Sequence, residues 1–191
     1  MTWQVVGICG MVGIVAASTF LFFHNDEGAA KKETCSWQEE QRTVAGSSLE
    51  PIVKNGQEIV LLEGYYNCHA VEREDIVVYE FAEGRTPLLK IIKGVPGNTF
   101  SLQPVSGGSG WNIIINGEVV RNSQKIAYVL DSNEYRMLHL YERDYSGLIP
   151  PDAYLILGNL PQGSRDSTQI GLVGKDGILG KAVAKTAPQE D

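Results

Sequence analysis

The sequence predicts a mainly β protein: an N-terminal transmembrane helix, then an antiparallel β-sheet domain carrying a smaller inserted β subdomain. Three observations predict it. Trp3 to Phe23 is an apolar run without a charged residue. The rest breaks into short segments rich in β-branched and aromatic residues, bounded by turn formers. Asn116-Gly117 stands between two apolar runs, where both residues tolerate the positive φ of a type I′ hairpin turn.

In the first segment only Gln4, Ser18 and Thr19 are polar, and 21 residues at about 1.5 Å each match the roughly 30 Å hydrocarbon layer. A cleaved leader would open with a basic region, and only the α-amino group precedes this run, so residues 1–23 read as a retained anchor. The flank His24 to Lys32 carries Asp26 and Glu27 as well as Lys31 and Lys32, so charge alone leaves the orientation open. Residues 24–43 read as a polar linker. Strands are expected at Glu58 to Leu62, Asp75 to Phe81, Leu88 to Ile92, Thr99 to Leu102, Ile113 to Ile115, Glu118 to Val120, Arg136 to Tyr141, Ala153 to Leu157 and Ile178 to Val183. No run after the anchor has helical periodicity over about twelve residues. The expected organisation is a β core from 44–98 and 154–184, an inserted subdomain at 99–153 and a tail at 185–191.

Composition excludes some function classes. A net charge of −7 and a pI near 5.0 oppose a polyanionic partner, because nucleic-acid binding needs a basic face; no nucleic acid is expected. The three histidines and three cysteines lack metal-ligand spacing, so neither metal nor cofactor is expected. Cys35 and Cys68 bracket Ser48. They are either an oxidised pair closing a loop of about 33 residues or two free thiols, and the sequence leaves both open.

Three blocks carry residues suited to chemistry. Gly46-Ser47-Ser48-Leu49-Glu50-Pro51 joins small residues to a hydroxyl, a combination equally at home in an ordinary loop. Lys90 lies among Leu88, Leu89, Ile91 and Ile92. Crowding by aliphatic side chains disfavours an ammonium and turns the amine into a base, unless the side chain snorkels to water from an edge strand. A serine hydroxyl needs such a neighbour to become a nucleophile. Gly158 to Ser167 reads by itself as a polar loop.

Taken together, these blocks resemble the bacterial Ser-Lys type I signal peptidases. The family pattern runs approximately G-x-S-M-x-P-T, G-D-I-V-V-F, K-R-x-x-G-x-P-G-D, G-D-N-R-x-x-S-x-D-S-R, then G-x-V and G-K-A. The chain offers Gly46 to Ile52, Glu74 to Tyr79, Lys90 to Asn98, Gly158 to Thr168, Gly171-Leu172-Val173 and Gly180-Lys181-Ala182. The resemblance spans about Val44 to Ala184. It departs at Leu49 for Met, Ile52 for Thr, Ile91 for Arg, Asn98 for Asp, Asn159-Leu160-Pro161 for Asp-Asn-Arg, and Thr168 for the Arg that would pair with Asp166.

The resemblance implies a catalytic β-sheet domain with Ser48 as nucleophile and Lys90 as general base. It also implies Ser164 as the hydroxyl that orients the lysine and Asp166 as structural support. The oxyanion would be held by the Ser48 backbone N–H, because Gly46 stands where a second hydroxyl sits in some members; otherwise Ser47 contributes. Leu49 is a candidate for the substrate pocket or a lipid-facing position. The implied substrates are preproteins cleaved after Ala-x-Ala-like sites, with membrane lipid as the other partner. The implied location is the cytoplasmic membrane, single-pass, with the catalytic domain outside. Alternatives are a self-cleaving Ser-Lys regulator, a maturation or conjugation-type peptidase with one substrate, and a catalytically silent assembly factor.

Overall fold

The computed structural model describes residues 35–81 and 86–185. The expected anchor, linker residues 24–34 and tail residues 186–191 lie outside the described residues. Among those described, no helix is long and apolar enough to cross a membrane.

Among the described residues eleven strands build two sheets, and every pairing among them is antiparallel. The larger sheet contains β1 (Gln38–Thr43), β2 (Glu58–Glu63), β3 (Ile76–Tyr79), β4 (Leu88–Gly94), β9 (Ala153–Leu157), β10 (Val173–Gly174) and β11 (Ile178–Ala184). Its spatial order is β1-β2-β11-β3-β4-β9-β10. The smaller contains β5 (Phe100–Pro104), β6 (Trp111–Ile115), β7 (Glu118–Val119) and β8 (Val129–Leu130), with both β7 and β8 pairing to β6. The Asn-Gly turn joins β6 to β7; Asn116 and Gly117 have φ of 51° and 81°, as that turn requires.

Three apolar clusters hold the sheets together. One surrounds β2, β3 and β11 with Leu49, Val53, Ile59, Leu61, Val78, Ile91 and Ala182. A second gathers Tyr66, Val77, Tyr79, Ile92 and Ile156. The third joins the smaller sheet to the end of β9 through Phe100, Ile113, Ile115, Tyr128, Leu138, Leu155 and Leu157. Lys181, from the Gly-Lys-Ala block, ties β11 to the start of β3 by donating to Asp75 at 2.5 Å. The same carboxylate accepts from the Tyr66 hydroxyl at 2.9 Å.

Two expectations are corrected. Arg136 to Tyr141 is not a strand but the middle of a helix, α1 (Ser132–Asp144). Asp131 caps its N-terminus by accepting from the Asn133 and Glu134 N–H groups, and Glu134 reaches back to the Asp131 N–H. Tyr135, Leu138 and Tyr141, three apart, turn toward the third cluster. The second correction concerns Gln38 to Thr43, read as linker, which is the edge strand β1, paired from Gln38↔Glu63 to Thr43↔Glu58. Five of its six side chains are exposed, so it lacks the alternation that marks a half-buried strand. Just before it, Cys35 is joined to Cys68 with the Cα atoms 5.8 Å apart.

Candidate active site

Ser48 lies in the connection from β1 to β2. Gly46, at φ 105°, reverses the chain there, and its N–H donates to Asn55 Oδ1 at 2.9 Å. The next residues form tight turns, with Glu50 N–H donating to Ser47 O at 3.0 Å and Ile52 N–H to Leu49 O at 2.9 Å. Leu49, 2 % exposed, is the peg of this turn: it enters the cluster under β2 and β3 and leaves Ser48 half-exposed above it. Leu49 therefore packs in the core. Within the described residues the Ser48 N–H makes no hydrogen bond, and Ser47 is exposed.

Lys90 comes from the middle of β4, where it pairs with Val77 of β3. It is 3 % exposed. Its Nζ donates to Ser48 Oγ at 3.1 Å and to its neighbour's carbonyl, Leu89 O, at 2.9 Å. Burial holds the Lys90 amine below the ordinary lysine value, and the Asp166 carboxylate opposes that shift more weakly. Lys93 is also buried, yet it has a carboxylate partner in Glu74 at 2.8 Å, and among the described residues Lys90 has none.

Asp166 is 3 % exposed. One carboxylate oxygen accepts from the Gly158 N–H at 2.9 Å; the other accepts from the Thr168 N–H at 3.1 Å and the Thr168 hydroxyl at 2.9 Å. It caps the short helix α2 (Ser167–Ile170) and fixes the exit from β9. Ser164 is buried beside Gly158, and its Oγ has no hydrogen-bond partner among the described residues. The Ser164 hydroxyl thus does not hold Lys90 in this state; the Leu89 carbonyl does. A Cβ on Gly158 would collide with Ser164 and come within 3.0 Å of Ser48 O, so only glycine lets these segments meet.

A cleft of about 180 Å³ is lined by Val44, Ala45, Ile59, Val78, Pro87 and Leu89, with Arg42 among its other lining residues. Ala45 is three residues before Ser48, and Leu89 adjoins Lys90. Elsewhere, Cys35, Cys68 and His69 form a compact group of potential ligand atoms. The two sulfurs are bonded to each other, and His69 Nδ1 donates to Tyr65 O at 2.9 Å, so neither thiolates nor a free Nδ1 face a cation there.

Residues 35–187 match the family described as "Signal peptidase, peptidase S26". The chain belongs to that family. "Probable signal peptidase I-2" of Synechocystis is 28% identical over 156 residues, covering 78% of this chain and 63% of its own length. "Signal peptidase IB" of Staphylococcus aureus is 25% identical over 150 residues, 73% of each chain. "Signal peptidase I P" of Bacillus subtilis subsp. natto is 27% identical over 144 residues, 72% of this chain and 71% of the relative. This chain thus spans under two thirds of the Synechocystis relative. Among solved structures, a signal peptidase I from Enterococcus faecalis aligns with a TM-score of 0.42 and 21% identity, over 59% of this chain and 97% of that one.

In this S26 peptidase-family chain two departures from the expected motif, Thr168 and Asn159, have local explanations. Thr168, where an arginine was expected, satisfies Asp166 through its N–H and hydroxyl. Asn159 is wholly buried. Its N–H donates to Ser48 O at 2.7 Å, and its Nδ2 donates to Glu50 O at 2.7 Å and Ser123 Oγ at 2.9 Å. Its Oδ1 accepts from the Ser123 N–H at 2.9 Å, and its carbonyl accepts from Asn122 Nδ2 at 3.0 Å. Sequence reasoning recorded Asn159 only as a departure and missed Asn122, Ser123 and Tyr128, whose hydroxyl donates to Gly158 O at 2.6 Å. Single polar residues in loops have no periodicity to reveal them.

Proposed function

We propose that this chain is a membrane-anchored serine endopeptidase that removes signal peptides from exported preproteins through a Ser48–Lys90 dyad. The observation that carries the reading is the 3.1 Å separation of Lys90 Nζ and Ser48 Oγ, with the amine buried and without a carboxylate partner among the described residues. In the neutral form Lys90 offers a lone pair to the Ser48 hydroxyl. As Oγ attacks the scissile carbonyl, its proton moves to Nζ and the carbonyl becomes an oxyanion. The unbonded Ser48 N–H supplies a donor to that oxyanion. Collapse of the adduct breaks the C–N bond, Nζ returns the proton to the leaving amine, and an acyl-Ser48 remains. Water attacks it, losing a proton to Nζ; the acyl C–Oγ bond breaks, Nζ returns that proton to Ser48 Oγ, and the acid product leaves.

The small apolar cleft formed by Val44, Ala45, Ile59, Val78 and Leu89 suits a short side chain ahead of the scissile bond, in keeping with Ala-x-Ala-like sites. The apolar segment 1–23 would hold enzyme and membrane-inserted substrate in one plane, raising their effective concentration, with the sheet domain on the extracytoplasmic side. Asp166 supports the site structurally.

The test is cleavage of a preprotein by the full chain in detergent. Ser48→Ala and Lys90→Ala are each expected to lose at least about 1,000-fold in kcat, as removal of either member of a joint nucleophile and base does. Wild-type rates in both variants would end this assignment.

A further inference from the structure

Ser48 and Lys90 are 42 residues apart in sequence, so something must fix their mutual distance. Lys90 is set by β4, whose next residues pair with β9 as Ile91↔Leu157 and Ile92↔Ile156. Beyond Leu157 the chain continues as Gly158-Asn159. Asp166 grips the Gly158 N–H, Tyr128 its carbonyl, and Asn122 the Asn159 carbonyl. From that fixed point Asn159 reaches the nucleophile turn twice, by its N–H to Ser48 O and its Nδ2 to Glu50 O, both at 2.7 Å.

We propose that Asn159 is a positioning residue that carries the register of Lys90 to Ser48, and that its partners in this chain require an amide where the family pattern carries Asp. The requirement follows from the partners. Glu50 O only accepts, and it faces Nδ2; the Ser123 N–H only donates, and it faces Oδ1. A carboxylate of the same shape would keep the second bond and set a negative oxygen against the Glu50 carbonyl. With the amide, each side-chain atom of a wholly buried group has a partner. The bond from the backbone N–H to Ser48 O is available to every residue but proline, so what a side-chain variant removes is the second tether, the one that sets the tilt of the turn. A small error in that tilt displaces Oγ from Nζ, and displacements of about 1 Å cost up to about 100-fold in rate.

The inference rests on the Ser48–Lys90 reading, and the experiment separates the two. Full-length wild type, Asn159→Asp, Ser123→Ala and Ser48→Ala are assayed in detergent with a synthetic preprotein whose leader ends in Ala-Gln-Ala, well below the unfolding midpoint of each. Asn159→Asp is expected to lose about 10–100-fold in kcat with KM within about twofold of wild type. Ser123→Ala removes one acceptor of Nδ2 and leaves the Glu50 tether, so a loss of about threefold is expected. The pH dependence gives a signature that loss of stability alone would not. Burial beside a carbonyl raises the pKa of the introduced carboxyl, and its protonated form regains an O–H donor toward Glu50 O. The ratio of Asn159→Asp to wild-type kcat should therefore rise as pH falls and the introduced charge, which like Asp166 opposes the neutral form of Lys90, is lost. A ratio within twofold of unity, one independent of pH, or a loss confined to KM would overturn the proposal even with Ser48→Ala inactive. If wild type does not cleave, or Ser48→Ala cleaves equally well, the dyad reading falls first and takes this one with it.

Discussion

A lysine in a nearly closed site without a carboxylate partner is an energetic burden, and among the described residues Lys90 is such a lysine. Because its folded pKa lies below the unfolded one, the unfolded chain binds more protons between the two values, and stability rises with pH across that window. At neutral pH the burden is present, so Lys90→Met, which keeps the volume and removes the charge, should abolish cleavage and raise the unfolding midpoint. Equal or lower stability of that variant at pH 7, by thermal melting, would count against a depressed amine. Activity follows the same titration: kcat/KM should climb with pH as Nζ loses its proton, reaching its plateau below the ordinary lysine range. Ser164 makes a second case. A buried hydroxyl left unpaired costs about 1–3 kcal/mol, so Ser164→Ala should not lower the melting temperature. If substrate binding turns that hydroxyl toward Lys90, the same variant should lose about 10-fold or more in kcat, measured beside its melt. Lys90 stood out in the sequence as a cation among aliphatics, though an edge-strand lysine reads the same way, and Ser48 was legible through the resemblance, because Gly46-Ser47-Ser48 suits an ordinary loop. Ser164 was legible only through resemblance, and its missing partner could not be foreseen, since a hydroxyl's bonds depend on where two distant loops stop.

Elements were legible where burial imposes a period. Each expected strand from Glu58 to Ile115, together with Ala153 to Leu157 and Ile178 to Val183, overlaps an observed one, because each has at least one face against a cluster. The edge strand β1 was not legible, since its exposed side chains leave polar residues at almost every position. Nor was α1, which buries only Leu138 fully and therefore shows little stripe. Its signal was the Asp131-Ser132-Asn133-Glu134 capping box, a local hydrogen-bonding pattern and not a hydrophobic one. That box predicts its own energetics. Asp131→Ala should cost about 1 kcal/mol of stability with an unchanged denaturant slope, and Glu134→Gln, which keeps an acceptor for the Asp131 N–H, much less. If urea unfolding gave equal losses for the two, the cap would not be what starts this helix.

At the scale of the whole domain, the covalent tie between Cys35 and Cys68 encloses β1, the Ser48 turn and β2, which already pair with each other in the folded state. The tie therefore adds little to the native contacts and acts on the unfolded chain, where it removes the freedom of a 33-residue loop. The chain-entropy relation assigns such a loop about 3–4 kcal/mol. Cys35→Ser with Cys68→Ser should lower the unfolding free energy by up to that amount, chiefly by making the denatured chain less compact. Both sulfurs lie near His69, and His69 stacks on Tyr65 at 3.9 Å, whereas Lys90 is held by β3 and β9 on either side of its strand. Cleavage well below the unfolding midpoint should then be unchanged in the double variant, while the temperature at which activity is lost falls. Thiol titration of denatured, unreduced protein supplies the direct check. Of the three cysteines in the chain, one should react if the pair is oxidised. Three reactive thiols in protein isolated without reductant would mean that the domain reaches its stability through packing and its two sheets alone.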